Sequence, residues 1–87
     1  ANEEKMMKSA QLQLDDIEFL LNNKNLMELP ERICNAIALR TKFPDYSLSD
    51  LSYESFDTVG KYISKSGLSH CFTSIHQMCN EIKGIKS

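Results

Sequence analysis

The 87 residues suffice for one domain around one small core, and a hydrophobic fraction of 41% with 25% charged residues is that of an ordinary globular chain. No apolar run approaches the roughly 20 residues that cross a bilayer, and the opening Ala1-Asn2-Glu3-Glu4-Lys5 lacks the apolar stretch of a signal peptide. The formal charge of -2 excludes a uniformly basic surface but hides an asymmetry: residues 1–57 hold six Lys or Arg against eleven Asp or Glu, whereas residues 58–87 hold Lys61, Lys65, Lys83 and Lys86 against Glu81 alone.

The first element is predicted by apolar residues at Met7, Ala10, Leu14, Ile17 and Leu21, one face of a helix from about Glu4 to Asn22. Leu12, Phe19 and Leu20 widen that face, and Asn22-Asn23-Lys24-Asn25 ends it. The stripe reads as core, or as a helix that connects to or pairs with a preceding domain. The chain does not begin with Met, which points to a piece of a longer protein.

A second helix is expected to start at Pro30, whose missing amide hydrogen suits a first turn, with Glu31 at the positive end of the dipole. Ile33, Ala36, Ile37 and Arg40 share a face, flanked by Leu39 and Cys34, and Phe43-Pro44 stops the helix. Ser47 is a good N-cap, followed by Asp50, so a short third helix carrying Leu48 and Leu51 is predicted to end between Ser52 and Phe56. Val59-Gly60 suggests a turn or a brief extra helical piece. Ser64 is placed to cap Gly67, with Ile63 stapled on Leu68, and opens a last helix from about Lys65 to Lys83 that ends near Gly84. Its stripe is Leu68, Phe72, Ile75, Cys79 and Ile82, with Cys71 and Met78 at the edge. No strand pair with a hairpin signal is present, so the fold class is all-α with about four helices.

At 100° per residue the side of the last helix opposite Leu68 and Ile75 carries Ser66, His70, Thr73 and Gln77, flanked by Lys65 and Ser69, with Ser74 on the other flank. Short polar side chains near the start of a long helix suit a major groove, where donors and acceptors of base edges are within reach. The free amides at the same end, helped by Lys65, suit a phosphate.

The runs Leu29-Pro30-Glu31, Ala38-Leu39-Arg40, Pro44-Asp45-x-Ser47-Leu48-x-x-Leu51 and Ile63-Ser64-Lys65-Ser66-Gly67-Leu68-Ser69-His70 resemble the C-terminal helix-turn-helix of the WhiA family. That family's run is close to Leu-Pro-Glu, Ala-x-Leu-Arg, Pro-x-x-Ser-Leu-x-Glu-Leu and Ser-Lys-Ser-Gly-Val-Asn-His-Arg. Asn2, Lys8, Ala10, Gln13 and Ile17 also resemble its linker segment. The resemblance implies a transcriptional regulator linked to sporulation or cell division, cytoplasmic and nucleoid-associated, with a helix-turn-helix similar to sigma-factor region 4. It further implies a degenerate LAGLIDADG-like domain ahead of this one, so that residues 1–24 are a linker helix and residues 25–87 the core, with recognition helix 64–83. Two positions depart from the pattern. Cys71 stands where the family has Arg, removing an expected phosphate or guanine contact, and Ser69 stands where Asn is usual. The connection from Leu51 to Ser64 is longer than the family's and includes Tyr53, Phe56 and Tyr62.

Other residue types give weaker signals. Cys34, Cys71 and Cys79 are odd in number and read as reduced thiols. His70, Cys71, His76 and Cys79 are metal-ligand types, but on one helix they diverge and cannot converge on one ion. Cys71 beside His70 lacks the geometry of a nucleophile and base. The expectation is therefore a non-enzyme with no cofactor, metal or small-molecule substrate.

Two readings of function follow. In the first, double-stranded DNA is the partner: Ser66, Ser69, His70 and Thr73 read bases while Lys65, Lys61, Lys42 and Ser47 contact phosphates. In the second, the domain docks on RNA polymerase, a sigma factor or its own partner domain, through the acidic face of Asp15, Asp16, Glu18, Glu28 and Glu31.

Overall fold

The structure, a computed structural model, describes residues 2–84, with side chains from residue 10 onward. It consists of α1 (Asn2–Asn23), a 3-10 turn (Leu26–Glu28), α2 (Glu31–Lys42), α3 (Leu48–Val59) and α4 (Lys65–Lys83), with no strand among the described residues. The all-α expectation and its four helices hold.

The helix boundaries follow local chemistry. α2 starts one residue later than expected, with Pro30 as the extended residue before it, and the Pro30 carbonyl accepts from the amides of Ile33 and Cys34. The Ser47 hydroxyl accepts the Asp50 amide at 3.2 Å, and that of Ser64 accepts the Gly67 amide at 3.1 Å. Both α3 and α4 end on a glycine in the left-handed region, Gly60 at φ 74° and Gly84 at φ 78°, where a side chain would be strained.

One core joins all four helices. Ile17 and Leu20 of α1, Ile33, Ala36, Ile37 and Leu39 of α2, Leu51 of α3, and Leu68, Phe72, Ile75 and Cys79 of α4 are buried together. Ile63 and Leu48 pack on its rim.

The register of α1 differs from the expected stripe. Ile17 and Leu20 are buried, Leu14 and Ala10 half-buried, and Leu21 and Leu12 exposed, while Met7 lies outside the described side chains. Two polar residues explain the rotation. Gln13 and Asp16 both face the bundle, where Gln13 Oε1 accepts from Arg40 Nε at 2.9 Å and the Asp16 carboxylate meets His76 Nδ1 at 2.9 Å. The inner face is therefore centred between these partners and not on the line of apolar residues.

The third helix runs on to Val59, beyond the expected end between Ser52 and Phe56. Ser52 and Ser55 occupy core-facing positions that the apolar pattern leaves unmarked. Ser52 Oγ donates to the Ile63 carbonyl at 2.6 Å, Ser55 Oγ to the Ser52 carbonyl at 2.7 Å, and the Ile63 amide donates to Ser55 Oγ at 2.9 Å. These bonds satisfy two buried hydroxyls and fasten the entry of α4 to the body of α3. Serines thus tie the α3–α4 junction together.

Candidate nucleic-acid interface

α4 crosses the core with its stripe inward, so its opposite side is exposed. Lys65, Ser66, Ser69, His70 and Thr73 all lie on the open surface. Four of them, Lys65, Ser66, Ser69 and His70, line a shallow open depression together with Leu48, the first residue of α3. The sequence named Leu48 only as a residue of the third helix, and its part in this depression had no local signal, because it depends on how α3 docks against α4.

The depression therefore joins the starts of two helices. In α3 the Ser47 hydroxyl is half-buried and serves the Asp50 amide, yet it keeps its own proton to donate. In α4 the amides of Lys65 and Ser66 precede the capped Gly67, leaving donors at the positive end of the helix. Among the described residues, none of the side chains of Lys65, Ser66, Ser69, His70 and Thr73 bonds to another part of the chain. They are uncommitted donors and acceptors.

The remaining expected contacts are placed apart from this group. Lys61 is exposed in the turn between α3 and α4. Lys42 closes α2, its ammonium 5.5 Å from the Phe43 ring, which stacks on Tyr46 at 4.5 Å. Neither lines the depression.

Arg40, a residue of one family-like run, has no access to a ligand. It is 2% exposed, and Nη1 donates to the Tyr46 carbonyl at 2.6 Å, with longer contacts to the carbonyls of Phe43 and Pro44 at 3.3 and 3.4 Å. Its guanidinium lies 5.6 Å from the Phe72 ring centre. Burial pulls its pKa below the ordinary value. Arg40 thus holds the loop that delivers Ser47 and the start of α3.

Cys71 faces inward, 3% exposed, with Sγ donating to the Arg32 carbonyl at 3.5 Å. An Arg contact to DNA is therefore not what this position replaces in the present chain: a side chain here belongs to the α2–α4 packing. Burial pushes the Cys71 thiol up, opposed by the nearby Arg32 charge. Burial also raises the Cys79 thiol, reinforced by Asp16 and opposed by Lys83. Cys79 Sγ donates to the Asp16 carbonyl at 3.2 Å, and His76 is held by the Asp16 carboxylate, so both tie α4 to α1. Of the acidic face over residues 15–31, Asp15, Glu18, Glu28 and Glu31 are exposed, while Asp16 is engaged with His76. Among the described residues no three His, Cys, Asp or Glu side chains come together as a metal site requires, and no helix is long and apolar enough to cross a membrane.

A comparison with known families matches residues 1–79 to the WhiA C-terminal HTH domain. The chain belongs to that family. Similar relatives carry the name "Probable cell division protein WhiA". That of Halothermothrix orenii is 34% identical over 84 residues, covering 97% of this chain and 26% of the relative. The relatives from Lactobacillus delbrueckii subsp. bulgaricus and Oenococcus oeni are 30% and 33% identical, covering 95% and 94% of the chain. The chain thus spans about a quarter of the length of the WhiA relatives it matches. No solved structure matches it significantly.

Proposed function

We propose that this WhiA-family domain binds double-stranded DNA with α4 in the major groove, as the recognition module of a transcriptional regulator and not as an enzyme. The observation that carries the reading is the exposed, uncommitted polar face of α4 gathered beside the start of α3. Ser66, Ser69, His70 and Thr73 face base edges in this arrangement, and Lys65 and Ser47 flank them at two helix N-termini suited to phosphate. Lys61 and Lys42 extend the phosphate contacts on either side. With only short hydroxyls and one imidazole on the reading face, discrimination between bases is modest.

The longer protein implied by the family is proposed to place a LAGLIDADG-like domain ahead of α1. Residues 1–24 are then the linker helix and residues 25–87 the core, working in the cytoplasm on the nucleoid. RNA polymerase or a sigma factor would be a further partner of such a regulator.

The test is a gel-shift and NMR titration of the 87-residue chain with promoter fragments. Lys65→Glu is expected to weaken binding about tenfold or more across sequences and to reduce the salt slope by about 1. His70→Ala is expected to cost about 1–3 kcal/mol and to relax sequence preference. Both variants keep the parent far-UV spectrum, because both side chains are exposed. Unchanged DNA binding in the two folded variants refutes the groove assignment.

A further inference from the structure

The outward side of α3 has no role in the DNA reading. Three of the chain's seven aromatic rings lie on or just beyond it, and all are open to solvent: Tyr53 is 84% exposed, Phe56 64% and Tyr62 66%. Tyr53 and Phe56 are three residues apart, hence neighbours on the helix surface. At 100° per residue, Asp50, Tyr53, Glu54, Phe56 and Asp57 fall within one arc, opposite the buried Leu51 and Ser55. Tyr62 follows in the turn that leaves the same helix end.

The three carboxylates on this arc are as uncommitted as the rings. Among the described residues, none of Asp50, Glu54 and Asp57 forms an ion pair, and no cation of the chain lies over Tyr53, Phe56 or Tyr62. Lys61 is the only cation between residues 48 and 62. Rings interleaved with carboxylates match one chemistry best. A guanidinium stacks on an aromatic face and forms a two-pronged bond with a carboxylate, which an ammonium cannot do. Phosphate-bearing partners, nucleic acid and anionic lipid alike, are repelled by the same carboxylates.

We infer that the outward face of α3, with Tyr53 and Phe56 between Asp50, Glu54 and Asp57, is a docking surface for an arginine-bearing segment of a partner protein. This surface is separate from the polar face of α4, so one domain has a basic-lined edge for phosphate and an acidic aromatic edge for a protein. Other apolar side chains at the surface, such as Met27 and Leu26 in the 3-10 turn, lack this combination of rings and charge.

The probe is a capped peptide of four Arg-Ala repeats, titrated into the 87-residue chain and followed by NMR, with a Lys-Ala peptide as comparison. Amide shifts are expected to map to residues 50–62, and the arginine peptide to bind at least threefold tighter than the lysine one. The double variant Tyr53→Ala/Phe56→Ala is expected to weaken binding about five- to thirtyfold, from the usual worth of two exposed cation–ring contacts. Glu54→Gln/Asp57→Asn leaves both rings in place and is expected to weaken binding and flatten its salt dependence. Neither double variant changes DNA affinity. Unchanged peptide affinity in the ring variant, shifts confined to residues 15–31, or a loss of DNA affinity in the ring variant would each overturn the inference. So would concentration-dependent sedimentation of the chain alone that vanishes with the rings, because the occupant would then be a second copy.

Discussion

Arg40→Met removes a buried donor while keeping most of the side-chain volume, and so isolates the polar role of Arg40. Two of its bonds are short, to Gln13 at 2.9 Å and to the Tyr46 carbonyl at 2.6 Å, and both are made by a charged donor. Bonds of that kind are worth about 1.5–3 kcal/mol each when a buried partner is left behind. Here the partners are backbone carbonyls and an amide that remain after the substitution, so the loss should reach about 3–5 kcal/mol. The contacts to Phe43 and Pro44 are too long to add much, and methionine returns part of the packing on Phe72. A chain of this length is stable by roughly 4–13 kcal/mol in all. Arg40→Met should therefore remove about a quarter or more of the total. In urea, followed by circular dichroism at constant m of roughly 1 kcal/mol/M, the midpoint should fall by about 3–5 M. Gln13→Ala should cost only about 1–2 kcal/mol, because the guanidinium keeps its carbonyls. A folded Arg40→Met variant within about 1 kcal/mol of the parent would refute the reasoning.

Three further outcomes are expected. Ser55→Ala strands the Ile63 amide at the α3–α4 junction and should lower stability by about 1–3 kcal/mol in the same urea assay, with DNA affinity falling in parallel as α4 loses its fixed entry. Burial raises the Cys71 and Cys79 thiols, so the stability they lend is complete at neutral pH and drains away above about pH 8.5, where unfolded thiols ionise first. The thermal midpoint should accordingly fall on the alkaline side, by less in a Cys71→Ala/Cys79→Ala variant. Cys71→Arg, which restores the family residue, should destabilise the fold by about 2–4 kcal/mol without raising DNA affinity, since the new charge enters a buried site near Arg32.

The helices α2 and α4 were legible because their limits are chemical. Pro30, the Phe43-Pro44 stop, the Ser64 cap and the Gly84 terminator act through the backbone within a few residues, wherever the rest of the chain lies. α3 was cut short because its inner face uses Ser52 and Ser55 where an apolar pattern would be visible, while its outer face shows Tyr53 and Phe56. The hydrophobic period there points the wrong way. The α1 register was missed for a related reason. Gln13 and Asp16 face inward only because Arg40 and His76, distant in sequence, supply partners. Polar residues in a core are readable once their partners are known, and those partners are a product of the fold.

The candidate site was legible to the extent that it is one face of one helix. A strong stripe at Leu68, Phe72, Ile75 and Cys79 fixes what lies opposite, which is why Lys65, Ser66, Ser69, His70 and Thr73 emerge together. Ser47 at the start of α3 was named from the sequence, but the part of Leu48 was not legible, since it rests on the serine bonds to Ile63 and on the loop held by Arg40. Charge gave the least guidance. The negative total is concentrated on α1 and the outward side of α3, whereas α2 holds three cations against Glu31 alone; with a Debye length of about 8–10 Å, carboxylates farther than that from a bound duplex act little on it. What remains for phosphate is a small set of lysines, Lys65, Lys61 and Lys42. Three such contacts give a slope of about -2.7 in a plot of log affinity against log salt, or a loss of about fortyfold between 50 and 200 mM. On the proposed DNA-binding reading, a domain that holds a duplex through so few charges binds weakly by itself and gains most from any partner or neighbouring domain that adds contacts.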